Sequence, residues 1–200
     1  VYYTGVNNTE YAKSTTAPTD AGDYEVSIDV DRSDTYYGET GMYDSNWTFT
    51  IQKADPLSFA SETVSITFGV TFNNTLTNLS GAAVTYTSSN TEVASFENGN
   101  LVIKGAGETT ITATCAETDN YNAGSASYKL TISKKAIHIT GATVADKYYD
   151  GTKTATVTSV TFADSDNTVL PVPDTDYTAT AEFPGKDAGD NAVSVTVTVT

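Results

Sequence analysis

The chain has 200 residues, 38% of them hydrophobic and 18% charged, which is a globular composition that suits either one domain or several small ones. A formal net charge of −15 argues against a nucleic-acid partner and against an anionic membrane surface, because both demand clustered Lys and Arg. The single cysteine, Cys115, excludes an internal disulfide framework, and no run of 18 apolar residues marks a membrane span. The acidity itself reads as solubility rather than as a site. Because the sequence starts at Val1 without Met, it is read as a fragment, so the lack of a basic-then-apolar leader carries no weight.

In residues 1–53 the first clear strand is Ala21 to Val30. Tyr24, Val26, Ile28 and Val30 alternate onto one face and Glu25, Ser27 and Asp29 onto the other, as in a strand with one wet side. A polar loop through Tyr36, Tyr37, Gly38 and Gly41 follows, and then Trp47, Phe49 and Ile51 alternate again. The order Tyr3 and Gly5, then Ala17 to Tyr24, then Phe49 to Ala54 resembles the MBG-type immunoglobulin-like domain of bacterial surface proteins. About fifty residues is short for a sandwich of about seven strands, so this module is expected to be N-terminally incomplete.

Residues 54–134 hold the best-patterned stretch. From Val84 to Ala116, three β-patterned runs are separated by Glu97-Asn98-Gly99-Asn100 and by Gly105-Ala106-Gly107, both of which favour positive φ. Ile111, Ala113 and Cys115 alternate with Thr110, Thr112 and Thr114, which predicts a half-buried antiparallel strand. Ser88 to Asn90, Val93-Ala94, Gly99, Gly105 to Gly107 and Ile111 to Ala113, taken in that order, resemble the bacterial immunoglobulin-like group 2 repeat. That resemblance implies a small β-sandwich. The closing run Phe49 to Lys53 is echoed by Leu130 to Lys134, with Ile51 and Ile132 a separation of 132 − 51 = 81 positions apart, a spacing that suits one sandwich per repeat. Each echo leads directly into another β-patterned run, so the linkers are short and the array is expected to be stiff.

Residues 135–200 carry Asp146-Lys147-Tyr148-Tyr149-Asp150-Gly151-Thr152 and, later, Ala181 to Phe183 and Asp187 to Val193. This pair of motifs resembles the YDG domain found in repeats of large bacterial surface adhesins. The Asp150-Gly151 pair itself reads as a tight structural turn. Alternation from Val193 to Thr200 predicts a last strand, and the module is expected to be C-terminally incomplete. The fold class expected is therefore all-β, as tandem immunoglobulin-like sandwiches in an elongated array over 1–53, 54–134 and 135–200.

Chemistry is sparse along this chain. Cys115 alternates with apolar neighbours and reads as a small core residue, while His138 sits between Ile137 and Ile139 with no second ligand in reach of the sequence. Neither a phosphate loop nor a nucleophile motif occurs. Two acidic runs, Asp29, Asp31, Asp34 and Glu39, and then Asp164 with Asp166, lack the glycine of a helix-loop-helix calcium site, since Asp34 and Val169 stand at the sixth positions. An irregular calcium site at such acids stays open. The adjacent pairs Tyr2-Tyr3, Tyr36-Tyr37 and Tyr148-Tyr149, with Trp47, offer either a ring platform for a sugar or cross-strand packing, and packing is the preferred reading. Lys147 and Asn191 are nominal partners for an isopeptide bond by residue type alone.

No catalytic, cofactor-binding or metal residue is assigned, and no cofactor is expected. The resemblances imply a monomeric, non-catalytic stalk segment of a bacterial cell-surface or secreted adhesin, outside the cell. The alternative they leave is a module that binds a host or environmental glycan or protein through exposed aromatics or loop ends.

Overall fold

Period-two patterning runs through nearly the whole chain, and the computed structural model, which describes residues 1–185 and 192–199, is correspondingly all-β. One 3₁₀ turn at Asp174–Asp176 is the only helical piece among the described residues. The chain divides into two compact units, Val1–Ser133 and Lys134–Thr200.

The first unit opens with a sheet of β1 (Tyr2–Val6), β2 (Gly22–Val30), β3 (Glu39–Met42) and β4 (Thr48–Ile51). β2 is its spine. β1 lies antiparallel along one edge, with Tyr2 opposite Ser27, and the other edge is shared by β4 against Gly22 to Glu25 and β3 against Ile28 and Val30. Tyr24 is the apolar centre, 1% exposed, stacked on Phe49 at 5.3 Å and edge-on to Tyr11 at 5.7 Å. Asn7 and Asn8 take positive φ and turn the chain back over β1, where Ser14 exchanges backbone hydrogen bonds with Tyr3. Gly5 permits this close return, since a Cβ there would stand 2.1 Å from the Thr9 carbonyl oxygen.

The alternation expected in β2 holds at Tyr24 and fails at two places. Ser27, on the side read as wet, is only 8% exposed, while Val30 is 46% exposed. Ser27 is the ladder partner of Tyr2, so the two share a face, and Lys13 Nζ lies 4.3 Å from the centre of the Tyr2 ring. Val30 sits at the end of β2, where pairing with β3 is irregular. Trp47 precedes β4 rather than forming part of it.

The remainder of the first unit is built from β5 (Leu57–Phe59), β6 (Thr63–Thr67), β7 (Leu76–Asn78), β8 (Val84–Ser88), β9 (Ala94–Glu97), β10 (Asn100–Ile103), β11 (Gly107–Cys115) and β12 (Gly124–Ser133). A four-stranded sheet runs β6-β12-β11-β8, with β6 parallel to β12 and the other pairs antiparallel. Two separate ribbons, β5-β7 and β9-β10, complete it. Asn98 and Gly99 take φ of 50° and 80° and join β9 to β10 as a two-residue hairpin, the geometry that Asn-Gly favours.

In β11 the predicted face is buried as read: Ile111 is 1%, Ala113 0% and Cys115 8% exposed. Thr109 continues that face at 3% exposure, its hydroxyl bonded to Ser88 Oγ at 2.8 Å and to the Asn90 amide at 3.0 Å, so its burial leaves no polar group unmet. Ile111 joins Val93, Ala94, Tyr128, Leu130 and Ile132 in one core cluster. Burying each large aliphatic side chain there contributes about 1.5–3 kcal/mol.

Among its described residues the second unit holds two three-stranded sheets. One is β13 (His138–Val144), β15 (Val157–Ala163) and β16 (Val169–Leu170); the other is β14 (Thr154–Ala155), β17 (Tyr177–Glu182) and β18 (Ser194–Val199). Phe162, 2% exposed, meets the Tyr177 ring edge-on at 5.0 Å and so connects the two sheets. His138 lies exposed at the start of β13, and so does its neighbour Ile139, at 47%.

Candidate functional site

The residues singled out by sequence are mostly occupied with local structure. Asp29 accepts the Gly41 amide at 2.6 Å and lies 3.7 Å from Lys13 Nζ; the amide, then Lys13, holds its carboxyl below the usual range against the opposing effect of burial. Asp164 behaves similarly. It takes Lys135 Nζ at 3.0 Å and the amides of Asp166 and Thr168 at 3.1 and 3.0 Å, and Lys135 is the main reason its carboxyl is also depressed. Among the described residues no three His, Cys, Asp or Glu side chains are grouped so as to hold a metal ion.

The Tyr149-Asp150-Gly151 triplet is a turn. Gly151 has φ of 71°, and Asp150 Oδ1 accepts from both the amide and hydroxyl of Thr152. Lys147 Nζ is ringed by oxygens: Asp150 Oδ1 at 2.9 Å, the Thr152 carbonyl and hydroxyl at 3.0 Å each, and the Thr154 carbonyl at 2.8 Å. This ammonium, with the Thr152 donors, pulls the Asp150 pKa down to about 2. An ammonium so bound is a charged strut rather than a nucleophile. Asn191, its nominal isopeptide partner, lies outside the described residues, as does most of the Asp187 to Val193 motif. Cys115 is buried, with its Sγ 3.9 Å from Ser80 Oγ.

The aromatic pairs divide. Tyr3 packs edge-on to Phe49 at 6.1 Å and Tyr2 lies under Lys13, so that pair is used in packing. Tyr36, Tyr37, Tyr43, Tyr148 and Tyr149 are exposed, and Trp47 is 41% exposed.

Two features of the first unit were not read from sequence. The first is a clasp made by the loop between β11 and β12, residues 116–123. Asn120 Oδ1 accepts the Ala21 amide at 2.7 Å, its Nδ2 donates to Asp20 Oδ1 at 2.9 Å, and its carbonyl accepts the Ala54 amide at 3.2 Å. Tyr24 supports the far side, its hydroxyl donating to the Asp20 carbonyl at 2.8 Å. Asn122 exchanges with residues 53–55: its amide donates to the Ala54 carbonyl at 3.0 Å, and its Nδ2 donates to Asp55 Oδ1 at 3.2 Å. Lys53 Nζ reaches Glu117 and the Thr118 carbonyl. The β1–β4 sheet and the connection after it are thereby fastened to the rim of the β6-β12-β11-β8 sheet.

The second feature is a cleft of about 600 Å³ between the two ribbons. Each ribbon docks on the same sheet face through an aromatic pair: Phe59 of β5 edge-on to Tyr128 at 4.7 Å, and Phe96 of β9 stacked on Tyr86 at 5.2 Å. Between those pairs the floor is Ile111 and Tyr128, and residues 69–75 form the rim. No protein-family model matches the chain, and no curated protein sequence matches it.

Proposed function

We propose that this chain is a non-catalytic spacer segment of a bacterial cell-surface or secreted adhesin-like protein, built of tandem immunoglobulin-like β-sandwiches of the MBG, group 2 and YDG types. The clasp at Asn120 is the observation that carries this reading. A spacer performs its task by keeping length under thermal motion, which requires that successive modules not swivel on their connection. Here the connection at residues 53–55 is bonded along its length to the loop at 117–122, and Asn120 reaches past it to Asp20 and Ala21. A connection of a few residues held on both sides is far stiffer than a Gly/Ser-type linker. The Lys147 strut and the Asp164 turn add oxygen-lined local rigidity of the same kind in the second unit.

Small-angle scattering of the chain, with calcium and with chelator at two salt concentrations, tests the spacer reading. An extended profile that ignores both variables is the expected outcome. A profile that compacts when calcium is removed assigns the stiffness to metal and defeats this account.

A second reading, engagement of a host or environmental glycan or protein, is favoured by the exposed rings Tyr36, Tyr37, Tyr43 and Trp47 of the first unit. Trp47 is the only tryptophan, so its emission reports on that surface alone. Saturable quenching by an oligosaccharide series would support binding; unchanged emission across the series leaves the spacer role.

A further inference from the structure

The cleft between the ribbons has a chemistry that the spacer role does not use. Its walls are aromatic and aliphatic: Phe59, Phe72, Tyr86, Phe96, Leu101 and Ile103. Not one of its lining residues carries a charge, in a chain whose net charge is −15. Its size is that of a small-molecule site, and its walls are apolar while Thr71, Asn73, Asn74 and Thr75 bring polar groups to the rim.

Tyr128 is the distinguishing residue. It is 5% exposed, its ring is fixed edge-on by Phe59, and its hydroxyl has no hydrogen-bond partner among the described residues. That hydroxyl is not sealed in the core either, because Ser95 Oγ is the enclosed side-chain atom there without a partner. Tyr128 is among the residues that line the cleft. Burial, followed by the neighbouring Tyr86 phenol, raises its pKa, so it stays a neutral donor and acceptor across physiological pH. A ligand group that bonds this hydroxyl gains a hydrogen bond in an uncharged, aromatic-walled cleft, where the protein supplies none.

We propose that this cleft is a binding site for a neutral, flat, mainly apolar small molecule with one hydrogen-bonding polar group, the rings gripping its faces and Tyr128 bonding the polar group. Anions are disfavoured by the chain's charge, and cations find no carboxylate in the lining. The rim supplies an entry side: Val70 is 52% exposed, and Gly69 takes φ of 86° at the turn after β6.

The test titrates the 200-residue chain with naphthalene, 2-naphthol and naphthalene-2-sulfonate, followed by amide NMR. The expected result is saturable binding of both neutral probes, with shifts at Phe59, Phe96, Tyr128 and residues 69–75. 2-Naphthol should bind roughly five-fold more tightly than naphthalene, the value of about one net hydrogen bond, and the sulfonate should bind more weakly than either. Tyr128→Phe should keep naphthalene binding and abolish the naphthol advantage. Val70→Trp, at a half-exposed rim position that tolerates bulk, should weaken both neutral probes. The absence of saturable binding, shifts confined to other surfaces, an undiminished naphthol preference in Tyr128→Phe, or unaltered binding in Val70→Trp would overturn the proposal.

Discussion

Replacing Asn120 by Ala removes the clasp's reach to the first sheet while leaving its backbone bond to Ala54 in place. Two side-chain bonds are lost. The one from the Ala21 amide is short and part-buried, and a typical net hydrogen bond contributes about 0.5–1.5 kcal/mol. The one to the Asp20 carboxylate is charge-assisted but exposed, so solvent screening reduces it to under about 1 kcal/mol. A total near 1.5–2 kcal/mol follows. For a unit of this size, 1 kcal/mol corresponds to roughly 3–4 °C, so scanning calorimetry should show the first unit's transition about 5–7 °C lower. The lost stability is also local. Hydrogen exchange at the Ala21 amide should accelerate well beyond that of Leu130 or Ile132 in the core, because its acceptor has gone while the core is intact. Unchanged exchange at Ala21 together with an unchanged transition would refute the claim that Asn120 fastens the two sheets.

Gly5→Ala should destabilise the first unit by about 1–3 kcal/mol, since the new methyl would meet the Thr9 carbonyl and the Tyr11 amide, backbone atoms that cannot rotate aside; a thermal melt indistinguishable from wild type would contradict this packing. Lys147→Met tests the strut. Asp150 titrates near 2 in the folded chain, below the unfolded carboxylate at about 3.9, so its stabilising contribution is complete above about pH 4 and is lost as pH falls toward 2. Without the ammonium the carboxyl should titrate at higher pH, still held somewhat below the ordinary value by the two Thr152 donors, as followed by carboxyl carbon NMR. An unmoved titration would show that Lys147 is not the cause.

The readable features were those whose partners lie close in sequence. The alternation of Ile111, Ala113 and Cys115, the hairpin at Asn98-Gly99 and the turn at Asp150-Gly151 are all decided by side-chain period and by which residues tolerate positive φ. The clasp and the cleft were invisible for the opposite reason. Asn120 is 99 positions from Ala21 and 100 from Asp20, and an asparagine in a polar loop gives no local signal of what its amide will face. Phe59, Phe72, Tyr86 and Phe96 follow no common period, because they belong to two ribbons, a rim loop and a sheet. Ser27 shows the same limit on a smaller scale: its alternation is polar, yet the assembled sheet leaves it only 8% exposed opposite Tyr2.

By itself, then, the sequence determined that this is an all-β chain, where several of its strands and tight turns lie, and which face of β11 is apolar, since each follows from two-residue periodicity and backbone sterics acting over a few neighbours. Tertiary structure alone decided that the loop at 117–122 holds the segment at 53–55 and the turn at 20–21. It alone decided, too, that two ribbons docked on one sheet leave an aromatic cleft lined by Tyr128. Both depend on which distant segments pack together, and that is set by burial summed over the whole unit rather than by any local pattern.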